Sequence, residues 1–389
     1  MKGRSSTTTR KKAADKSSKR QSESGTSELE LAAIRESIDR IDERIHELLN
    51  ERARLAQLVG ASKRSARDMS PVDFYRPERE AQVLRKVIER NKGPLRNEEV
   101  VRLFREIMSA CLAQQEPLKV AFLGPEGTFS QQAVFKHFGH SVRALPLPSI
   151  GDVFEEVQAG NADFGVVPVE NSTEGTVNNT LDMFISSPLK ICGEIELRIQ
   201  QHLMGRMHGL EKIVRVCSHQ QSLAQCRHWL DEHLPHVERI AVSSNAEAAR
   251  RARDEKGTAA IAGQAAAEVY GLNIIVSEIE DTPDNTTRFL VIGRKLFAPS
   301  GKDKTTLLIS AGDTQAPGAL YRLLEPLARN NISMTRIESR PSRRRKWDYL
   351  FFIDVVGHAE ELPLKHALEE LKKRSSLFRI LGSYPCAVL

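Results

Sequence analysis

Apolar residues recur at Leu31, Ile34, Ile38, Ile41, Ile45 and Leu48, then at Leu55 and Val59. Steps of three and four predict one long helix over 28–66 with a heptad stripe. At 1.5 Å per residue it spans roughly 58 Å, so its stripe must be buried against other helices or a second chain. Asp68 to Arg76 breaks the pattern, and Pro77 suits the first turn of a second helix ending near Arg90. That helix carries Val83, Leu84, Val87 and Ile88 inward. Asn91, Gly93 and Pro94 break again, and a third helix runs from Asn97 to Gln115, inward through Val100, Val101, Phe104, Met108 and Leu112. After Pro117 short apolar runs alternate with helical patterns: Lys119–Leu123, then Phe164–Val169, Ile213–Cys217, Ala259–Ala262 and Phe289–Ile292. That alternation predicts an α/β domain. From Thr305 the order is strand, helix, strand, strand, helix, strand: Thr305–Ser310, Gly318–Asn330, Ile332–Arg340, Trp347–Val356, Leu362–Arg374 and Phe378–Tyr384. This is a ferredoxin-like α+β order. The chain therefore reads as multidomain.

Charge changes this picture little. Lys and Arg total 57 against 51 Asp and Glu, a net of +6 on 389 residues. Residues 1–27 hold eight bases and two acids, which is the whole excess. The body is balanced, which excludes a whole-surface nucleic-acid binder. The tail, rich in Ser, Thr, Lys and Arg with no apolar core, is expected to be a disordered extension and not a secretory signal. No apolar run approaches the ~18 residues of a membrane span. Five cysteines, odd in number and without a CxxC pair, argue against a disulfide framework or zinc site and for a reducing, cytoplasmic setting.

One residue interrupts the heptad stripe. Arg52 occupies the next inward position after Leu48, and Arg35 and Lys63 lie on the stripe's edge, about 42 Å apart along the helix. Arg52 either pairs with a carboxylate such as Glu80 or faces a bound anion. One helix cannot bring Arg35 and Lys63 to one small ligand, whereas an antiparallel second copy can. The scatter Leu31, Ile34-Arg35, Ile38, Ile41-Asp42, Leu48-Leu49, Arg52, Lys63, Pro77-Glu78-Arg79-Glu80 and Gln114-Gln115 resembles the all-helical chorismate mutases over 28–116. The resemblance implies that Arg35, Arg52 and Lys63 bind the substrate carboxylates and ether oxygen. It also implies that Glu80 holds a hydroxyl, that Gln114 donates to the ether oxygen, and that Arg76 and Arg79 lie in the substrate site. Arg76 stands where some relatives carry an acid and Ala110 where some carry a serine, with Ser109 beside it. The rearrangement of chorismate to prephenate needs no nucleophile, metal or cofactor. It needs a dianion held in a compact shape and donors on the breaking ether oxygen.

Three loops of the α/β region stand out: Gly124–Ser130, Pro168–Gly175 and Asp284–Phe289. Each alone reads as a cap or turn. Together GPEGTFS at 124–130, VPVENSTEG at 167–175, SHQQSLAQC at 218–226 and TTRF at 286–289 resemble prephenate dehydratase over 118–297, a two-lobed α/β fold with the site between the lobes. Gln220 stands where relatives often have proline. The resemblance points to Thr287 as the donor to the departing hydroxyl. Thr128, Glu170, Asn171, Ser172, Ser218, His219, Arg288 and Phe289 are implied as substrate contacts.

Residues 305–389 resemble an ACT regulatory domain through Pro317-Gly318-Ala319-Leu320 and Glu338-Ser339-Arg340-Pro341. These residues imply a phenylalanine site where two such domains pair, Gly318 permitting close approach. Arg343–Lys346 reads as a solvated hairpin loop. The order mutase, dehydratase, ACT is that of bacterial bifunctional enzymes of the phenylalanine branch. It implies chorismate and prephenate as substrates, phenylalanine as feedback effector, no cofactor, no metal, no nucleic-acid or membrane partner, and a homodimer or higher oligomer. The alternative is a prephenate dehydratase whose helical domain serves mainly for dimerisation.

Overall fold

The computed structural model describes residues 8–65, 75–311, 317–342 and 349–388, with side chains described from residue 30 to 62 in the first span. Residues 1–66 and 67–389 form two compact units. The first is a single helix, α1 (Thr8–Ser65). The disordered tail expected over 1–27 is corrected over 8–27, which is helical: this stretch has no proline and one glycine, and its Ala, Lys, Arg, Gln and Glu favour helix. Residues 1–7 and the Lys63 side chain lie outside what is described, as do 66–74, at the predicted break, and Arg343–Lys346. Within its own unit the α1 stripe is uncovered; Ile34 and Ile41 are each 57% exposed.

The second unit opens with α2 (Pro77–Arg90) and α3 (Asn97–Ala113), a helical hairpin. Pro77 sits in the first turn of α2 as predicted, and Glu99 in the first turn of α3 accepts the Arg96 N–H at 3.2 Å. The buried face differs from the apolar prediction. Leu84 is buried but Val83, Val87 and Ile88 are only partly so. On α3 the buried residues Val101, Arg105 and Ser109 are spaced by four, while Phe104 is exposed. Polar residues can turn inward because partners meet them. Ser109 Oγ accepts the Ser141 N–H, and Arg105 donates to the Val388 carbonyl at 3.1 Å.

The chain then runs through β1 (Lys119–Leu123), α4 (Phe129–Phe138), β2 (Arg143–Leu147), α5 (Ile150–Ala159), β3 (Phe164–Asn171), β4 (Gly175–Thr176), α6 (Asn178–Ser186) and β5 (Lys190–Arg198). It crosses to β6 (His202–Gly205), β7 (Arg215–His219), α7 (Gln220–Gln225), α8 (Arg227–His233), β8 (Glu238–Val242), α9 (Asn245–Asp254), β9 (Thr258–Ala262), α10 (Gln264–Tyr270) and β10 (Asn273–Val276). It returns as β11 (Thr286–Gly293). Two lobes result. The first has the sheet order β2-β1-β3-β11-β5, with β4 on β3; the second has β10-β6-β9-β7-β8. Both are mixed sheets, β1 running parallel to β2 and β3 while β11 is antiparallel to β3 and β5. The apolar runs located β1, β3, β7, β9 and β11. They missed the outermost strands β2, β5, β8 and β10 and the four-residue β6. Pro146 breaks the β2 pattern and buried Glu194 the β5 pattern. Two crossings join the lobes and bond to each other: the Ile199 N–H donates to Asn285 O and the Ile279 N–H to Gln201 O, both at 2.8 Å.

The chain ends in β12 (Asp303–Ser310), α11 (Ala319–Arg329), β13 (Met334–Pro341), β14 (Tyr349–Val356), α12 (Leu362–Arg374) and β15 (Leu377–Pro385). The antiparallel sheet order is β13-β14-β12-β15, the predicted ferredoxin-like arrangement. Its Leu308, Phe352, Leu381 and Tyr384 share one core with Phe154, Leu181 and Ile191 of the first lobe. A Cβ on Gly382 would overlap the Ile191 backbone.

Candidate active site

A cleft of about 720 Å³ lies between the two lobes. The first lobe contributes Gly124, Pro125 and Thr128 from the turn before α4, Asn171 from the end of β3, and Thr287 and Phe289 from β11. The second contributes His219, Gln221 and Ser222 from the β7–α7 corner and Ser244 and Asn245 from the start of α9. Gly127 has φ +83°, and its N–H donates to Gln131 Oε1 at 2.6 Å; a side chain there would crowd Tyr270 and Ala266 of the second lobe. Among the described residues that line the cleft there is no Lys or Arg. The lining acids are Glu174 and Glu247, and Arg250 and Arg251 bond to Glu247 and lower its pKa. An anion in this cleft is met by hydroxyl, amide and imidazole groups, not by Lys or Arg.

Asn171 organises the first-lobe side. Its Oδ1 accepts the backbone N–H groups of Thr173 and Glu174 at 3.0 and 3.1 Å. That fixes which end of the amide is the donor. Its Nδ2 then donates to Thr287 Oγ at 2.8 Å and to Asn285 Oδ1 at 2.9 Å. Thr287 is buried at 9% exposure, and with its oxygen accepting from Asn171 its own proton is free to donate.

Strand alternation divides the predicted contacts between two faces. Asn171, Thr287 and Phe289 line the cleft. Their neighbours Glu170 and Arg288 are not cleft residues, a correction to the expected substrate set. Glu170 pairs with Arg336 of β13 at 2.9 Å. Arg288 is buried between Glu194 at 2.9 Å and Asp354 at 2.6 Å and donates to the Tyr384 hydroxyl at 3.1 Å. Burial alone would lower the Arg288 pKa, but Tyr384, Asp354 and Glu194 together raise it. Ser218 is also corrected. It is fully buried, and its hydroxyl lies 2.7 Å from Ile261 O and 2.9 Å from Asn245 Oδ1, so it supports Asn245 from behind. Ser172 lies outside the lining, its Oγ accepting the Thr286 N–H at 2.9 Å. Thr128 and His219 line the cleft as expected, Thr128 Oγ donating to Pro125 O at 3.0 Å. Sequence reasoning missed Gln201, Ser222, Asn245 and Asn285. Ser222 lay inside a quoted motif, and Asn245 after two serines carried a helix-start signal.

The other predicted residues fall elsewhere. Arg35 is exposed and Arg52 partly buried on α1, about 26 Å apart along the axis. In the second unit Arg76, Arg79 and Gln114 are exposed, and Ala110 is exposed beside buried Ser109, whose hydroxyl accepts from the turn between α4 and β2. Glu80 lies 3.7 Å from Arg105. Burial raises its carboxyl to about 7, against the lowering effects of Arg105 and of the hydrogen bond from Tyr75. Gly318 has φ +72° at the start of α11, followed by partly buried Ala319 and exposed Leu320. On β13, Ser339 and Pro341 are exposed. Glu338 and Arg340 are taken up by the first lobe, Glu338 accepting from Thr176 Oγ at 2.8 Å and Arg340 pairing with Asp182 at 2.7 Å. No group of His, Cys, Asp and Glu among the described residues is arranged to hold a metal ion, and no described helix is long and apolar enough to cross a membrane.

Comparison with known proteins places these parts. Family models match in chain order: chorismate mutase type II over 34–116, prephenate dehydratase over 120–296 and the ACT domain over 305–375. A bifunctional chorismate mutase/prephenate dehydratase from Stutzerimonas stutzeri is 55% identical over 92% of this chain and 99% of its own length. One from Escherichia coli K12 is 33% identical over 92% of this chain and 97% of its own length. Among solved structures, prephenate dehydratase from Arthrobacter aurescens in complex with L-Phe matches 69% of this chain and 90% of its own at 36% identity and a TM-score of 0.64. The Staphylococcus aureus prephenate dehydratase matches 69% of this chain and 100% of its own at 30% identity and a TM-score of 0.61. Three domains in one order, matched along nearly the whole length of such relatives, make this chain a member of the bifunctional chorismate mutase/prephenate dehydratase family.

Proposed function

We propose that this enzyme rearranges chorismate to prephenate on its helical domain and converts prephenate to phenylpyruvate in the cleft between the two lobes, with phenylalanine acting through its ACT domain. The observation that carries the dehydratase assignment is the Thr287 hydroxyl, its oxygen occupied by Asn171 Nδ2 and its proton available to the cleft. In this reaction the bond from the ring to its carboxylate breaks and releases CO2. Its electron pair enters the ring, and the carbon–oxygen bond at the opposite ring carbon breaks as the ring becomes aromatic. Negative charge grows on the departing oxygen, which leaves as water after gaining a proton. A fixed donor on that oxygen stabilises the charge as it develops. A threonine hydroxyl is a poor acid, so Thr287 acts as hydrogen-bond donor or relay. Thr287→Ala should lower dehydratase turnover on the order of 10²–10³-fold, the usual effect of removing one such donor. Mutase turnover should stay within about twofold. Equal loss of both activities, or of neither, would remove the assignment.

For the mutase we propose that Arg35 of one chain acts with Arg52 and Lys63 of a second and, from the family resemblance, that Arg79, Glu80 and Gln114 also contact substrate. The uncovered α1 stripe supports pairing between copies. For the effector, Gly318 at the start of α11 and exposed Ser339 and Pro341 leave backbone and strand edge open to a second ACT domain. A cytoplasmic homodimer or higher oligomer fits all three assignments.

A further inference from the structure

We infer that Asn285 is a second substrate-binding donor of the dehydratase site, acting beside Thr287. Asn285 is 3% exposed and lines the cleft, and its Nδ2 has no hydrogen-bond partner. Amide ends are ordinarily interchangeable, but here the orientation is forced. Two backbone N–H groups fix the Asn171 oxygen, so Asn171 presents its NH2 to Asn285. Asn285 must answer with its oxygen, which lies within 3.5 Å of the Ser172 hydroxyl as well. Its own NH2 therefore remains as an unanswered donor at the cleft wall.

Leaving a buried donor unpaired is destabilising. Such groups concentrate where a ligand completes them. The cleft has no Lys or Arg among its described lining residues, while the substrate brings two carboxylates, a keto oxygen and a hydroxyl. Asn285 and Thr287 share Asn171 as common support, so two donors stand side by side on one oxygen-rich ligand. Gln201 also has a buried unpartnered amide atom. Its neighbours Ser222 and Gln225 can each donate or accept, so they do not fix its orientation.

This inference rests on the dehydratase site lying in this cleft. Asn285→Asp keeps the oxygen that Asn171 needs and removes only the donor. It should lower kcat/KM for prephenate on the order of 10²-fold at neutral pH, with mutase activity unchanged. Activity above the spontaneous background should partly recover as acidification protonates the new carboxyl into a donor. Asn285→Asp within threefold of the parent at neutral pH overturns the inference. If Thr287→Ala is equally silent, the site itself is misplaced; if only Thr287→Ala is inactive, the site stands and Asn285 is not part of it. Should the variant fail to fold, the Thr287→Ala chain crystallised with prephenate decides. Nδ2 within about 3.2 Å of a prephenate oxygen supports the contact, and a separation beyond about 4 Å overturns it.

Discussion

Glu80 and His137 sit in one buried pocket with Tyr75 and Arg105, and burial pushes each toward its neutral form. Burial lifts Glu80 from 4.5 to about 7. Burial, then Arg105, depresses His137 from 6.5 to about 3. The two have opposite linkage. Between pH 4.5 and 7 the folded state binds the Glu80 proton that the unfolded chain has lost, so this group's contribution falls as pH rises. Between pH 6.5 and 3 the unfolded chain gains the His137 proton that the folded state refuses, so that contribution falls as pH drops. The two partly cancel from 4.5 to 6.5. Glu80→Gln removes one of them. The variant's melting temperature relative to the parent should rise from pH 5 to pH 7.5 and then level off. A constant difference would mean that Glu80 titrates normally. None of this pocket was legible in the chain, because a buried Glu80–Arg105 pair follows no hydrophobic period. Thr287, Asn171 and Thr128 were legible because they fall inside multi-residue motifs. Asn285 was passed over although it sits in the quoted Asp284–Phe289 loop, because an unanswered amide is a property of three-dimensional surroundings.

At the scale of elements, β3 and β11 each turn one face to the cleft and the other to the ACT domain. Arg336 and Glu338 of β13 grip Glu170 and Thr176, which bracket Asn171 on its own hairpin, and Arg340 grips Asp182 of α6. Any shift of β13 is therefore felt one residue from the Asn171 amide. Arg336→Ala should leave uninhibited dehydratase turnover within about threefold and raise the phenylalanine concentration for half-inhibition at least fivefold. An unchanged inhibition curve would place the coupling elsewhere. The helices invite a different test. Chains carrying Arg35→Ala and Arg52→Ala should each lack mutase activity. Unfolded, mixed and refolded together, they should recover about a quarter of parental activity, since half of randomly paired dimers hold one intact site of two. No recovery would locate Arg35 and Arg52 in sites of the same chain. Element types were well predicted, because α1, α2 and the central strands have strong periods. The α3 face was not, because Arg105 and Ser109 turn inward to meet partners distant in sequence.

For the whole molecule, the sequence places a boundary between dehydratase and ACT at 298–304, and the family matches stop and start there. The folded structure has no seam at that point. Leu308, Phe352 and Tyr384 lie in the same core as Phe154, Leu181 and Ile191. Arg288 and Lys304 share Glu194 across the same junction, at 2.9 and 2.8 Å. Cooperativity follows from that continuity. The two parts are expected to melt together, since losing either would expose the other's share of this common interior and leave buried charges unpaired. Calorimetry of the full chain should show the first lobe and the ACT domain disappearing in one endotherm, and phenylalanine should move that whole transition upward. Two separable peaks, only one of them responsive, would show the interior to be divisible. With one interior shared between regulator and catalyst, binding energy gained at the effector site would also stabilise the lobe that carries Thr287.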